Sequence, residues 1–416
     1  NLQPWHFVVI KDNNIKKKIK IAAEKEEFNF YKYKASLKWL EALKPLGTNP
    51  NKNFLQDAPV LIVVFEQKFA IYNNVKIKCI YWWLITCCFL VFTMVIIGGL
   101  TRLTDSGLSI VEWNILSGIL PPLFNNDWIE LFEKYKQFPE YKLINKNINL
   151  DDFKFIFWME YIHRIWGRLI FLIFLIPLII FLRKKYIPKK FKKHLFIILF
   201  LIFSQGLFGW YMVKSGLVDK PDVSHYKLSI HLIMAFIIYG YLLFLTFSIY
   251  DLKNNKKKII IKNKNFFITN VILICLILIT VFSGGMVAGL DAGLVYNTFP
   301  LMGDTFIPFD IWNLSPRFIN FFENPVTVQF DHRILGITTF ILTLVLWLYT
   351  RIYNLPLSIK KKVNILLLIV IIQFSLGVAT LISYVPTHIA ITHQLGALIF
   401  YSISIWTLKS LPFVSK

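Results

Sequence analysis

Acidic residues are scarce in this chain of 416 residues: 24 Asp and Glu stand against 46 Lys and Arg, a net charge of +22. Such an excess invites a nucleic-acid reading, but no Lys/Arg stripe interleaved with stacking aromatics lies outside the apolar runs, which argues against that partner. The basic residues gather instead in short connections. Cysteine is nearly absent too. Cys79, Cys87, Cys88 and Cys275 all stand in or beside apolar runs, so no disulfide framework is implied and the redox compartment is left unread. No signal-peptide pattern opens the chain, which starts at Asn1 without a methionine, so a fragment is expected. What is abundant is apolar: 56% hydrophobic residues, 17% aromatics and a mean hydropathy of +0.56. That composition is an integral membrane protein's.

A run of about 20 apolar residues crosses the hydrocarbon core. Eight candidates are expected, over residues 80–100, 156–182, 195–213, 228–250, 266–290, 334–349, 363–384 and 389–408. Three connections are intensely basic, with seven Lys/Arg in 183–193, six in 251–264 and four in 351–362. The alternate ones are acidic on balance; residues 101–154 hold six basic against eight acidic side chains. Basic loops stay on the side of synthesis, which places both termini on the cytoplasmic or matrix side.

The eight spans fall into two sets of four. Gly98-Gly99 with Asp105 is echoed by Gly284-Gly285 with Asp291, His163-Arg164 by His332-Arg333, Gln205 by Gln373, and His231 by His393. The first histidines are 169 residues apart and the second 162, so order and spacing both hold. Repeats with an even number of spans share one orientation and are related by an axis along the membrane normal. The expected architecture is all-α, two pseudo-symmetric four-helix bundles over residues 76–255 and 256–416. The paired glycines would let helices approach closely.

Histidine is costly in lipid and marks a site by default. His163, His231, His332 and His393 each enter an apolar run from the same membrane face. Two imidazoles on facing helices at equal depth suit a haem with two axial ligands, which pairs His163 with His231 and His332 with His393. Zinc would want three or four ligands per cluster. An isolated interfacial side chain is the bland reading of any one of them, and the fourfold repeat argues against it. Arg164 and Arg333 suit anionic haem propionates. His194 reads as solvated, and His225 and His388 as rim or propionate contacts. The repeats differ at one telling place: Glu160 precedes His163 by three positions and shares its helix face, whereas the matching residue is Gln329, which cannot ionise. That asymmetry suggests one reactive site, with Glu160 as acid/base or stabilising charge, and one electron-transfer site. The bland alternative is that Glu160 caps its helix or pairs with Arg164.

Residues 1–70 are of another kind. A strand-like run ending at Ile10, a charged helical stretch over 15–43 and a second strand-like run over 58–65 make a short partial α/β segment. Asn1-Leu2-Gln3-Pro4-Trp5-His6-Phe7-Val8-Val9, with Asp57-Ala58-Pro59 before a strand, resembles the flavin-dependent nitroreductases. The helix that would bring that family's phosphate-binding arginines is absent, and the sheet stops at a membrane span. So small a half-sheet cannot bury a core, and a non-functional, truncated piece is expected.

From about Lys76 onward the resemblance is to another family. The run from Gly98 to Trp113 with Gly118-Ile119-Leu120-Pro121-Pro122, Glu160 to Arg168, Asn297 to Met302, Gln329 to Arg333 and Thr392-His393-Gln394 resembles the haem A synthases of the mitochondrial and alphaproteobacterial type. The resemblance implies successive hydroxylation of the C8 methyl of haem O to a formyl group, giving haem A for terminal oxidase assembly. It implies a haem b held by His332 and His393 and substrate haem ligated by His163 and His231. It also implies a haem O synthase as partner, and the bacterial cytoplasmic or mitochondrial inner membrane as location. A homo-oligomer is compatible, and the electron acceptor is unread. Some relatives carry a cysteine pair in an outer loop; this chain has none, which puts any thiol-dependent step in doubt. The competing readings are a non-catalytic dihaem b-type electron carrier and, further off, a transporter.

Overall fold

The computed structural model describes residues 5–33, 35–66, 74–111, 120–216, 223–253 and 263–409, in two compact units, Asn1–Asn74 and Val75–Lys416.

In the first unit β1 (Trp5–Ile10) pairs antiparallel with β2 (Leu61–Glu66), Val8 opposite Val63. Between them lie α1 (Asn13–Tyr33), α2 (Leu37–Leu43) and α3 (Phe54–Asp57). The single helical stretch expected over 15–43 is interrupted, because Ser36 is extended (φ −71°, ψ 150°) and starts α2 afresh. Lys16 is buried, and its ammonium donates to the Ala58 carbonyl at 2.9 Å, tying α1 to the approach of β2. The pairs Phe7–Val64 and Val9–Ile62 share one sheet face, and all four side chains are exposed. Two strands with a bare apolar face form an unfinished sheet. Asn1–Pro4 of the turn motif lie outside the described residues.

Among its described residues the second unit holds eight helices long and apolar enough to cross a membrane. They are α4 (Asn74–Leu103), then α7 (Leu150–Arg183), α8 (Lys189–Gly216), α9 (His225–Lys253), α10 (Lys264–Gly289), α12 (Pro325–Ile352), α13 (Leu357–Ile382) and α14 (Thr387–Lys409). Short helices α5 (Asn125–Tyr135) and α6 (Pro139–Leu143) precede α7, and α11 (Asn320–Glu323) precedes α12. The chain is an all-α integral membrane protein.

The helices overrun the apolar runs because polar residues cap them well beyond the lipid-length core. Asn149 accepts from the amides of Asp151 (2.8 Å) and Asp152 (3.0 Å), and the Asp152 carboxylate accepts from the Asn149 amide at 3.1 Å, a closed capping box. Asn324 caps α12 by accepting from the Val326 amide at 3.0 Å, with Pro325 in the first turn. That cap starts α12 nine residues before the expected span and brings Gln329 and His332 into its helix. At the other extreme α13 stops two residues early, since Tyr384 and Val385 both take positive φ (61° and 56°).

Contacts tie α4 to α7 through two tryptophans: the Trp83 indole donates to the Ile173 carbonyl (2.8 Å) and the Trp166 indole to that of Leu90 (2.9 Å). Cys88 meets Thr246 of α9 at 3.5 Å, and α7, α8 and α9 pack in sequence. In the second half α10, α12, α13 and α14 pack likewise, and α9 meets α10 and α14 across the boundary. The boundary contacts come in exchanged pairs. Tyr239 of α9 hydrogen-bonds Ser402 of α14 at 2.9 Å, while Tyr401 of α14 lies against Gly240 of α9, each residue 162 positions from its counterpart. Gly99 of α4 abuts Ile391, and Gly285 of α10 abuts Ser229, again in matching positions. Where α4 ends, Arg102 binds both Asp105 (2.6 Å) and its counterpart Asp291 (3.0 Å).

On the histidine face α5 turns Trp128, Phe132 and Tyr135 onto Phe153, Ile156 and Phe157 at the head of α7. Burial holds the Tyr135 phenol above its usual range, with Glu140 adding to the effect. This cluster braces the end of α7 from which His163 projects.

Candidate functional site

Each of the four histidines lies opposite a glycine on a neighbouring helix. A Cβ at Gly98 (α4) would sit 3.4 Å from Nε2 of His163, and one at Gly284 (α10) 3.1 Å from Cε1 of His332. One at Gly209 (α8) would sit 3.1 Å from Cε1 of His231, and one at Gly377 (α13) 2.9 Å from Cε1 of His393. A side chain at these places would compete with the rings for space. The sequence pairs His163 with His231 and His332 with His393, and each of the four rings faces its glycine from its own helix.

The second ring nitrogen bears on what each imidazole can bind. The Gln373 side-chain nitrogen lies 3.1 Å from Nδ1 of His393; with the amide flipped, its oxygen would accept from Nδ1–H and leave Nε2 a lone pair for a metal. The corresponding Gln205 donates instead to the His231 carbonyl at 2.9 Å. His332 Nδ1 is buried with no hydrogen-bond partner among the described residues. His231 Nδ1 is buried with no partner. Two imidazoles per pair, backed by glycine, fit a planar group ligated from both sides. Among the described residues no three His, Cys, Asp or Glu side chains gather into a metal-binding group, as zinc would require.

Glu160 is 2% exposed and fully engaged. Oε1 accepts from Nε (3.0 Å) and Nη2 (2.6 Å) of Arg164; Oε2 accepts from the Ser109 hydroxyl (2.8 Å) and the Ile110 amide (2.7 Å). Those four bonds use the four acceptor positions of a carboxylate. Arg164 also donates to the Ile110 carbonyl at 2.9 Å. The pairing with Arg164 that the sequence left open is therefore present, and Glu160 offers fixed negative charge rather than an idle lone pair.

The second half builds the same clamp with different charge. Gln329 donates to the Tyr296 carbonyl at 3.0 Å, and Arg333 donates to the carbonyls of Tyr296 (2.8 Å) and Thr298 (2.9 Å). Arg333 has no carboxylate partner among the described residues, whereas Arg164 is neutralised by Glu160. Of the remaining histidines, His194 is exposed and meets the Tyr241 hydroxyl at 2.6 Å. His225 lies 3.7 Å from Glu323, which also accepts from the Tyr226 hydroxyl at 2.7 Å, and His388 is exposed. The motif residues 112–119 lie outside the described residues.

Sequence reasoning passed over the specific work of Gly98, Gly209, Gly284 and Gly377. The signal was there: each pair keeps its place in the repeat.

A family model described as cytochrome oxidase assembly protein matches residues 81–405, leaving the N-terminal unit outside the match. The chain is 46% identical over 343 residues to the haem A synthase of Nitrosospira multiformis, covering 82% of this chain and 94% of that protein. It is 41% identical over 344 residues to haem A synthase COX15 of Homo sapiens (80% and 83%). To the haem A synthase of Wolbachia sp. subsp. Brugia malayi it is 44% identical over 319 residues (77% and 92%).

Proposed function

The chain belongs to the haem A synthases, a family of cytochrome oxidase assembly proteins, and on that premise we propose how its two histidine pairs divide the work. It is an enzyme of haem A formation. The reaction is the oxidation of the C8 methyl of haem O to a formyl group, which consumes one water and releases four electrons and four protons.

His163 and His231 ligate the substrate haem; His332 and His393 hold a resident haem b. The observation that carries this assignment is Glu160 against Gln329: a buried ion pair beside the first pair, and beside the second a guanidinium held by carbonyls, with no carboxylate partner among the described residues. A haem b in the second bundle supplies one-electron oxidation and reduction when bound. Arg333, lacking a carboxylate, can offer its charge to a propionate there. Glu160 keeps a negative charge fixed one helical turn from His163, where it opposes positive charge developing on the substrate's rim. Through Ser109 and Ile110 the same carboxylate ties the segment after α4 to α7. Both termini face the cytoplasm or matrix, and a haem O synthase supplies the substrate.

The test is chromatography of haems extracted from membranes expressing the chain with a haem O synthase. Haem A or O alongside haem b supports the assignment. Haem b alone, in both pairs, would favour a dihaem electron carrier.

A further inference from the structure

The two loops on the histidine face differ in how many aromatic residues they expose: among the described residues of the first, Phe124 stands out at 71%. The first turns Trp128, Phe132 and Tyr135 inward onto α7. The second, residues 291–324, leaves Phe306, Ile307, Phe309, Trp312, Phe318 and Phe321 exposed, Phe309 by 93% and Phe318 by 65%. This is not a loose loop. The Asn320 side chain accepts from the Leu314 amide (3.0 Å) and donates to its carbonyl (2.8 Å); Asn324 donates to the Asp310 carbonyl (2.8 Å) and Thr327 to that of Ile311 (2.6 Å). Arg333 holds its near end from below. A segment fixed so thoroughly, with its large apolar side chains outside, is built to present them.

Two features of the loop select the occupant. The loop begins two residues after α10 ends at Gly289 and runs to the residue before α12 begins at Pro325, so both ends are tethered at the membrane surface. It also holds no lysine and one arginine in a chain with 46 basic residues, so attraction to anionic headgroups has no part in it. Rigid aromatic side chains at that depth, without cationic charge, match the interfacial layer of a bilayer, where such rings partition. We propose that the 291–324 loop lies in the interfacial layer on the histidine face, with Phe309 and Phe318 inserted among the lipids. This placement depends on the membrane spans and the loop alone and is independent of the haem assignment.

The test is spin-label accessibility in the full chain reconstituted into phosphatidylcholine nanodiscs. Cys79 and Cys275 are exposed and are replaced by serine, while the buried Cys87 and Cys88 stay. Nitroxides go at Phe309→Cys and Phe318→Cys, with Lys142→Cys, exposed in the first loop, as the aqueous control. Collision with oxygen relative to a nickel chelate should be several-fold higher at 309 and 318 than at 142. A ratio equal to the control's would overturn the proposal. So would immobilised labels inaccessible to both reagents, which would mean that a protein partner or a second copy covers the patch. Two sites, each checked for an unchanged size-exclusion profile, guard against one label disturbing the loop.

Discussion

Ile110 and Tyr296 occupy the same position in the two halves, 186 residues apart, and each is gripped by the side chains three before and one after a histidine. Around Ile110 the grip is an ion pair; around Tyr296 it is an amide and a guanidinium. The geometry is conserved between the halves while the charge is not, and that separation makes the roles testable.

Glu160→Gln keeps the shape of the grip and removes its charge. Both haems should remain bound, because no ligand is touched. Haem A formation should fall on the order of 10²–10³-fold, the usual cost of deleting one fixed stabilising charge or donor. Extracted-haem chromatography reads it, and parent-like haem A would make the carboxylate purely structural. Gln329→Glu should shift the haem b potential without creating a second reactive site.

Replacing His332 or His393 with alanine should abolish the low-spin spectrum of haem b, since one imidazole cannot keep six-coordination. Optical spectra of membranes decide it. Survival of the signal in both variants would mean that the ligand pairing is wrong.

The glycines give a graded series. Gly377→Ala and Gly284→Ala place a methyl 2.9 and 3.1 Å from an imidazole, tighter than ordinary contact, and should reduce haem bound at the second pair. Gly98→Ala, at 3.4 Å, should be milder. Gly336→Ala meets nothing within 4 Å and should leave haem content unchanged. The readout is haem per protein across the four variants, and a flat series would remove the glycines from the site.

Deleting residues 1–70 should alter neither haem content nor haem A formation, because among its described residues that unit carries two strands and leaves one face of them bare. Stoichiometric flavin in the full chain, lost on deletion, would show instead that the unit works.

Most of the membrane architecture was legible because lipid enforces it: apolar length, basic loops and the fourfold histidine echo all survive in one dimension. The start of α12 was not, because Asn324 and Pro325 set it from outside the apolar run. The saturation of Glu160 was hidden for a similar reason. Ser109 and Ile110 lie about 50 residues upstream, and nothing in their own neighbourhood points to α7. The four glycines were visible as repeats, but a repeat does not say which neighbour it faces.

The exchanged contacts of Tyr239 with Ser402 and of Tyr401 with Gly240 have an evolutionary consequence. A symmetric dimer of separate chains must change both copies of an interface residue at once. Fused into one chain, the same interface contains each contact twice as independent letters, so either can drift while the other holds the halves in register. Serine against tyrosine on one side and glycine against tyrosine on the other show the two copies of the contact differing in this way. The same freedom lets one half carry Glu160 where the other carries Gln329, so that two matched positions need not do the same work.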